Sequence, residues 1–445
     1  MFWDGVLLNC SVMRVSRRAA IMNGQIQGGD MVQVDFARLK KVADQVDALQ
    51  QGQLLGKFQP TRIPKIDFPI TPLSVSSFEA GVSPDCTYRL ISAALEEAKH
   101  TLLVYVYEIH ADYMVELVKK AHEKGAKIRL MYDRGGTHPE EREVLDALED
   151  DGFEVRPAPS SGGRGVFTVC HQKFVVIDGK TVVVESANWA KTSIPLIEQG
   201  DPFKKGNREW MLRMDDAEIS KFFTSVFDAD WNIPDLGGPG ALVSVDEDDI
   251  VEALMVPAEL VSYPQKVFEI DKFDGSVDVM PIFSPDNYFD VISDRLEKAE
   301  ESIILQQQYI LAGDKVDDLL QIVAERRDKG VDVRIMASAT FPKNWNLTVE
   351  TLDAVGLKDC LKALNLKFFT HLHNKGVIVD RTHVAVSSTN WSANSITKAR
   401  EAGVLLTSKH LAGYYAKVFD EDWDEGIAAD DVKKKLLEVS GGEIV

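Results

Sequence analysis

His171-Gln172-Lys173-Phe-Val-Val-Ile-Asp178 is followed, after six residues, by Glu185-Ser186-Ala187-Asn188. His373-Asn374-Lys375-Gly-Val-Ile-Val-Asp380 is followed at the same spacing by Ser387-Ser388-Thr389-Asn390. A His and a Lys two apart on an extended segment project to one side, because strand side chains alternate with a period of two. The apolar runs 174–177 and 376–379 read as buried strands, closed by turns at Asp178-Gly179 and Asp380-Arg381. A returning strand then brings Ser186 and Asn188, or Ser388 and Asn390, towards the same edge. Two such hairpins facing each other would gather two imidazoles, two ammonium groups and two amides around one point. That set suits a tetrahedral phosphodiester.

The flanking sequence repeats in the same order. Ser83-Pro84-Asp85 and Ser284-Pro285-Asp286 each open a helix, with Ser as the expected N-cap and Pro in the first turn. Apolar runs 102–107 and 303–308 read as strands, followed by helices rich in Leu, Val and Ala. Gly125-Ala-Lys-Ile-Arg129 matches Gly330-Val-Asp-Val-Arg334, ahead of each His/Lys hairpin. After the hairpins stand Arg208-Glu209 and Arg400-Glu401, then Asp228-Ala-Asp230-Trp231 and Asp420-Glu-Asp422-Trp423. An ordered repeat of this kind means a duplicated unit. The near-continuous apolar strands predict an α/β class: two repeated α/β sandwich units, mixed sheets flanked by helices, related by a pseudo-twofold axis. The predicted boundaries are an extension over 1–75, a first repeat over 76–235, a linker over 236–275, a second repeat over 276–430 and a tail over 431–445. The extension contains one amphipathic helix, expected over 32–49.

Both halves resemble the phospholipase D superfamily, whose signature is His-x-Lys-x4-Asp-x6-Gly-Ser-x-Asn. The resemblance spans residues 76–425. Glu185 and Ser387 replace the family's Gly, and Glu185 puts a bulky carboxylate beside an anion site. Two residues after Asn the family often has Ser or Thr; Ser392 fits and Ala190 does not. The resemblance implies that Glu209 and Glu401 orient the two histidines. Ser186, Ser388 and Ser392 are expected at the substrate, and Asp178 and Asp380 as turn residues holding each hairpin.

The implied reaction needs no cofactor and no metal. An ordinary imidazole titrates near ~6.5, so one ring can be a neutral nucleophile while its partner is a protonated acid. One attacks phosphorus, the other protonates the departing oxygen, and water or an alcohol resolves the phosphohistidine. Lys173, Lys375, Asn188 and Asn390 would hold the non-bridging oxygens. By the same resemblance His171 is expected to attack and His373 to act as the acid. Trp189, Trp391, Asp230 and Asp422 read as packing and capping residues. His100, His110, His371 and His383 read as structural, while Tyr105, Tyr107, Gln306 and Gln308 flank the hairpins on strands.

The chain has 445 residues, 45% hydrophobic and 27% charged, enough for two cores. A net charge of -20 disfavours long nucleic acids, since a basic stripe is their usual counterpart. Arg164, Lys204, Lys205, Arg208 and Lys343 are the cations available for a local basic cleft. No apolar stretch approaches the ~20 residues that span a bilayer, and the four Cys lie too far apart for a CxxC site, so a cytoplasmic protein is expected. The expected activity is a phospholipase D-like phosphodiester hydrolase. It would act on phospholipid headgroups, by transient contact with a membrane surface or micelle, with transfer to an alcohol as a further outcome. The alternatives are a metal-independent nuclease and a non-catalytic phosphate-binding module. Because one chain carries both motifs, a monomer is expected to suffice.

Overall fold

The computed structural model describes residues 34–51, 63–133, 139–160, 165–234 and 266–432. Arg164, most of the predicted linker and most of the predicted tail therefore lie outside the described residues. A helix, α1 (Phe36–Gln51), comes first. The first half runs β1 (Leu73–Ser83), α2 (Thr87–Glu96), β2 (Thr101–Val106), α3 (Asp112–Glu123), β3 (Lys127–Tyr132), α4 (Pro139–Asp150) and β4 (Glu154–Pro157). The motif hairpin β5 (Phe174–Ile177) and β6 (Thr181–Glu185) follows, then β7 (Glu209–Asp215) and α5 (Ala217–Trp231). The second half repeats this with β8 (Asp271–Ser284), α6 (Tyr288–Glu297), β9 (Ser302–Gln307), α7 (Val316–Asp328), β10 (Asp332–Ala337), α8 (Pro342–Ala354) and β11 (Leu361–Ala363). Its hairpin is β12 (Lys375–Val379) and β13 (His383–Ser387), followed by α9 (Ala393–Thr397), β14 (Glu401–Thr407), α10 (Lys409–Asp424) and β15 (Ile427–Ala428). β1 and β8 thus begin ahead of the expected repeat boundaries at 76 and 276.

The two expected sheets are fused into one. The strand order is β15-β11-β10-β9-β12-β13-β14-β8-β1-β7-β6-β5-β2-β3-β4, which reads the same from either end about β8 and β1, apart from the extra edge strand β15. β1 and β8 pair antiparallel from Leu73 opposite Val279 to Ala80 opposite Asp271, which leaves neither long strand as an open edge. Within each half, β2-β3-β4 and β9-β10-β11 are parallel, as strand-helix-strand crossovers require, and the motif hairpin pairs antiparallel beside them.

Three apolar layers cover this sheet. One face of both halves closes on α5 and α10 through Val184, Leu212, Val386, Val404, Phe223 and Tyr415. α2 and α3 cover the other face of the first half, and α6, α7 and α8 that of the second. Leu39, Val42 and Val46, spaced by three and four, seat α1 in the second-half layer. The strands are therefore buried on both sides, the reason they read as continuous apolar runs.

Two local expectations are corrected. Ser83 and Ser284 do not cap helices: each Ser-Pro peptide is cis and lies in the turn leaving its strand, and the helices start at Thr87 and Tyr288. Ser83 Oγ donates instead to the Ser193 carbonyl at 2.5 Å. Between the halves, Trp210 of β7 lies against Gly376 of β12 so closely that a Cβ there would sit 2.2 Å from the indole. The repeat places Phe174 and Ala402 at the equivalent positions, large and small exchanged. Gly376→Ala should therefore cost about 1–3 kcal/mol by overpacking. Denaturant unfolding checks this, and an unchanged midpoint would show that the indole moves aside freely.

Candidate active site

His171 and His373 stand just ahead of β5 and β12, where each hairpin reaches the opposite half. The His171 N–H donates to the Arg400 carbonyl at 2.9 Å, and the His373 N–H to the Arg208 carbonyl at 3.2 Å. The two imidazoles are thereby brought to 6.2 Å between centroids, at 77°. Both are buried, at 2% and 1% exposure, which puts them in a low-dielectric setting.

The glutamates are exchanged between halves. Glu401, in the second half, lies 2.9 Å from His171 Nδ1, while Glu209, in the first, lies 2.6 Å from His373 Nδ1. A carboxylate only accepts, so each Nδ1 carries the proton and Nε2 is the nitrogen left for chemistry. His171 Nε2 is buried with no hydrogen-bond partner among the described residues. Neither half alone holds a complete His-Glu pair.

Burial pushes the His171 imidazole down to about 4; Glu401 opposes this and Lys173 adds to it. That ring is therefore neutral at pH 7, with a lone pair on Nε2. Burial pushes Glu209 up, but His373, Lys375 and the Ser186 hydroxyl outweigh it and hold the carboxyl below its ordinary range. Glu209 is thus an anion against His373.

Lys173 and Lys375 are both fully buried. The Lys173 ammonium lies 5.3 Å from the Tyr107 ring centroid, and that ring meets His171 edge-on at 5.1 Å. Lys375 donates to the His373 carbonyl. Asn188 and Asn390 are buried at 3% and 2% exposure, each with an Oδ1 lacking a hydrogen-bond partner among the described residues. A buried polar atom of this kind is costly unless a ligand or water meets it.

The three serines are hydrogen-bonded within the protein. Ser186 Oγ donates to Glu209 at 2.6 Å and Ser388 Oγ to Glu401 at 2.6 Å, while each accepts a backbone N–H from the following strand. Their hydroxyls thereby hold the two glutamates. Ser392 caps α9 by accepting the Ser395 N–H at 3.2 Å. Asp178 and Asp380, both at positive φ, accept backbone N–H groups at 99–101 and 300–302, tying each hairpin turn to the neighbouring strand.

Arg208, one of the cations available for a basic cleft, is 1% exposed. It pairs with Asp85 of its own half at 2.7 Å and with Asp422 of the other at 2.9 Å. Arg400 likewise pairs with Asp286 at 2.5 Å and, across the halves, with Asp230 at 2.8 Å. Asp230 and Asp422 are therefore interface anions and not helix caps. Tyr105 and Gln306 add hydrogen bonds to them, at 3.1 Å each, which removes both from the cleft. These buried pairs fix the backbone that carries Glu209 and Glu401.

Lys343 is exposed in the first turn of α8, Lys204 donates to the Leu196 carbonyl, and Lys205 is part-buried, its ammonium pushed down by burial. His110 lies 3.1 Å from Glu108, and His383 contacts Arg295 and Thr407. His371, expected to be structural, lies against His373 at 6.1 Å between centroids. Among the described residues no group of three or more His, Cys, Asp or Glu could hold a metal ion, and no helix is long and apolar enough to cross a membrane.

A family profile described as "Cardiolipin synthase, PLD-like domain" matches residues 91–231 and again 292–423. The chain belongs to the phospholipase D superfamily. A probable cardiolipin synthase of Bacillus subtilis, YwiE, is 23% identical over 351 residues, covering 76% of this chain and 64% of the relative. A mitochondrial cardiolipin hydrolase of Chlamydomonas reinhardtii is 24% identical over 139 residues, covering 31% of this chain and 55% of the relative. The chain thus spans less than two thirds of the length of these relatives. The crystal structure of a phosphatidylserine synthase of Haemophilus influenzae superposes with a TM-score of 0.58 at 15% identity, over 84% of this chain and 96% of that one, which shows the shared fold.

Glu185 departs from the phospholipase D pattern without placing a charge in the site. Its Oε1 accepts the Trp189 indole N–H at 2.7 Å, and the side chain is fully buried. In the second half the matching Trp391 donates to Tyr288 at 3.1 Å, and the first half has Thr87 at that tyrosine's position. Glu185 therefore supplies the acceptor that the first repeat lacks. Burial, aided by Glu209 and opposed by Trp189 and Lys173, pushes its carboxyl up to about 8, so it is neutral at pH 7. Raising the pH through 8 should ionise it beside Lys173 and depress activity, and Glu185→Gln should remove that alkaline limb. Superimposable pH–rate profiles for the two proteins would rule this effect out.

Proposed function

We propose that this chain is a phosphodiester transferase of phospholipase D type, acting on phospholipid headgroup esters through a covalent phosphohistidine. Water or an alcohol completes the reaction, giving hydrolysis or phosphatidyl transfer. The observation that carries the reading is the crossed pair of His-Glu dyads, two imidazoles 6.2 Å apart with each backed by the other half's carboxylate. His171, neutral at pH 7, attacks phosphorus with Nε2. His373, whose imidazolium the Glu209 anion stabilises, protonates the departing oxygen, and in the second step takes the proton of the incoming water or alcohol. Lys173 and Lys375 offset the charge of the non-bridging oxygens, the role that a metal serves in other phosphodiesterases, and the Asn188 and Asn390 amides donate hydrogen bonds to them. A lipid substrate is supported by the synthase and hydrolase relatives and by the net charge of -20, which opposes long nucleic acids. One chain brings both histidines, so a monomer suffices.

Phosphatidylglycerol and phosphatidylcholine in mixed micelles, single-stranded DNA and bis-p-nitrophenyl phosphate, each with and without EDTA, test the reading. Lipid turnover within about twofold in EDTA is expected, since no step needs a metal. Cleavage of DNA alone would favour the nuclease, and loss of all turnover in EDTA would contradict the metal-free mechanism. The acid limb of kcat/KM should follow the nucleophile, His171, with an apparent pKa near 4, so activity persists at pH 5. An acid limb centred near ~6.5 would mean that an ordinary imidazole attacks.

A further inference from the structure

The two halves of the site differ beside His373. His371 is 1% exposed, with its ring 6.1 Å from the His373 ring. Its Nδ1 lies 2.8 Å from Ser338 Oγ and 2.9 Å from Thr340 Oγ1, and the two hydroxyls are 3.0 Å apart. The first half holds this segment in place. The His371 carbonyl accepts the Arg208 N–H at 2.9 Å, and Thr370 Oγ1 donates to Asn207 at 2.5 Å. At the matching positions the first half has Val169, Asp133 and Gly135. A valine side chain makes no hydrogen bond, and Asp133 accepts the Cys170 N–H at 2.6 Å. The imidazole-hydroxyl cluster belongs to one side only. Thr340 is part-exposed while Ser338 and His371 are buried, so the cluster leads inward from the surface to His373.

We propose that His371, Ser338 and Thr340 form the alcohol-side subsite and recognise the hydroxyls of a small polyol of the glycerol type, as departing headgroup or as acceptor. This rests on the phosphohistidine reading above. Attack by His171 puts the departing oxygen on the far side of phosphorus, within reach of His373. In the second step the alcohol oxygen bonds to phosphorus. The P–N bond to His171 breaks with its electron pair returning to the ring, and the alcohol proton passes to His373 Nε2. The remaining hydroxyls of a polyol then lie beside His373, where the cluster offers both donors and acceptors. A quaternary ammonium group makes none of these bonds, and a site built for hydroxyls rejects an analogue that lacks them.

The full chain is treated with bis-p-nitrophenyl phosphate, whose leaving group needs no protonation, in the presence of glycerol or ethanol. The ratio of transfer to hydrolysis is measured. His371→Val should lower that ratio for glycerol about tenfold and leave it within about twofold for ethanol, while His371→Gln, which keeps a hydrogen-bonding amide, retains most of the glycerol ratio. An unchanged glycerol ratio overturns the proposal, as does an equal fall for ethanol. Should His371→Val form no phosphohistidine, the Ser338→Ala/Thr340→Ala double variant takes its place; absence of the intermediate there too puts the cluster in the first step and overturns the subsite. If the unmodified protein forms no phosphohistidine, the reaction reading fails first and the subsite falls with it. Micelles separate the two sources. A preference for phosphatidylglycerol over phosphatidylcholine that disappears in His371→Val supports a headgroup role. A glycerol effect without that preference supports an acceptor role.

Discussion

His171→Ala is expected to abolish phosphohistidine formation from every phosphodiester, a loss on the order of 10⁴-fold or more, because no other group replaces the nucleophile in the first step. His373→Ala should behave differently. With a lipid, whose departing alkoxide needs a proton, it should lose on the order of 10²–10⁴-fold. With bis-p-nitrophenyl phosphate it should still form the intermediate, since p-nitrophenolate leaves unprotonated. The assignment rests on two features of the site: burial holds the His171 imidazole low enough to be neutral, and the Glu209 carboxylate stands 2.6 Å from His373 Nδ1. Rapid quench with both substrates checks this. Intermediate formed by His171→Ala and not by His373→Ala would exchange the roles and leave the reaction class intact.

Arg400→Ala is expected to destabilise the fold by about 3–5 kcal/mol, the usual consequence of stranding a buried charge. The substitution leaves Asp230, fully buried, and Asp286, largely so, without their guanidinium. It also loosens the strand that carries Glu401 and accepts the His171 N–H. Activity should therefore fall before the protein unfolds. The acid limb of the surviving activity should move as well, because Glu401, which opposes the lowering of the His171 imidazole by burial, is displaced. Arg400→Lys keeps the charge without the bidentate fork and should recover part of the stability. Denaturant unfolding alongside a pH–rate profile separates the two effects. A stability loss under about 1 kcal/mol would mean that the two aspartates find other partners.

The duplicated motif made the two α/β halves and the reacting groups legible, because strand periodicity and a shared spacing are local properties of the chain. What crosses between halves was not. The edge-to-edge pairing of β1 with β8 joins Leu73 to Val279, and nothing near either residue records the other. Arg208 read as a cation available for a basic cleft; its partners Asp85 and Asp422 lie 123 and 214 residues away. The exchange of glutamates is hidden for the same reason, since in sequence Glu209 is nearer to His171 than to His373. Ser186 and Ser388 point to the site by strand alternation, yet the glutamates take their hydroxyls first. His371 has no counterpart in the first repeat, so the comparison of repeats is blind to it. Glu185 looked disruptive until Trp189 and the missing tyrosine explained it.

One measurement bears most directly on a single site shared by two halves. The protein is mixed with bis-p-nitrophenyl phosphate, quenched on the millisecond scale under conditions that preserve phosphohistidine, and digested for mass spectrometry. One adduct per chain is expected, on the peptide that contains His171, with His373 unmodified. Adducts on both histidines of one chain, or none on either while substrate is consumed, would contradict a single crossed site.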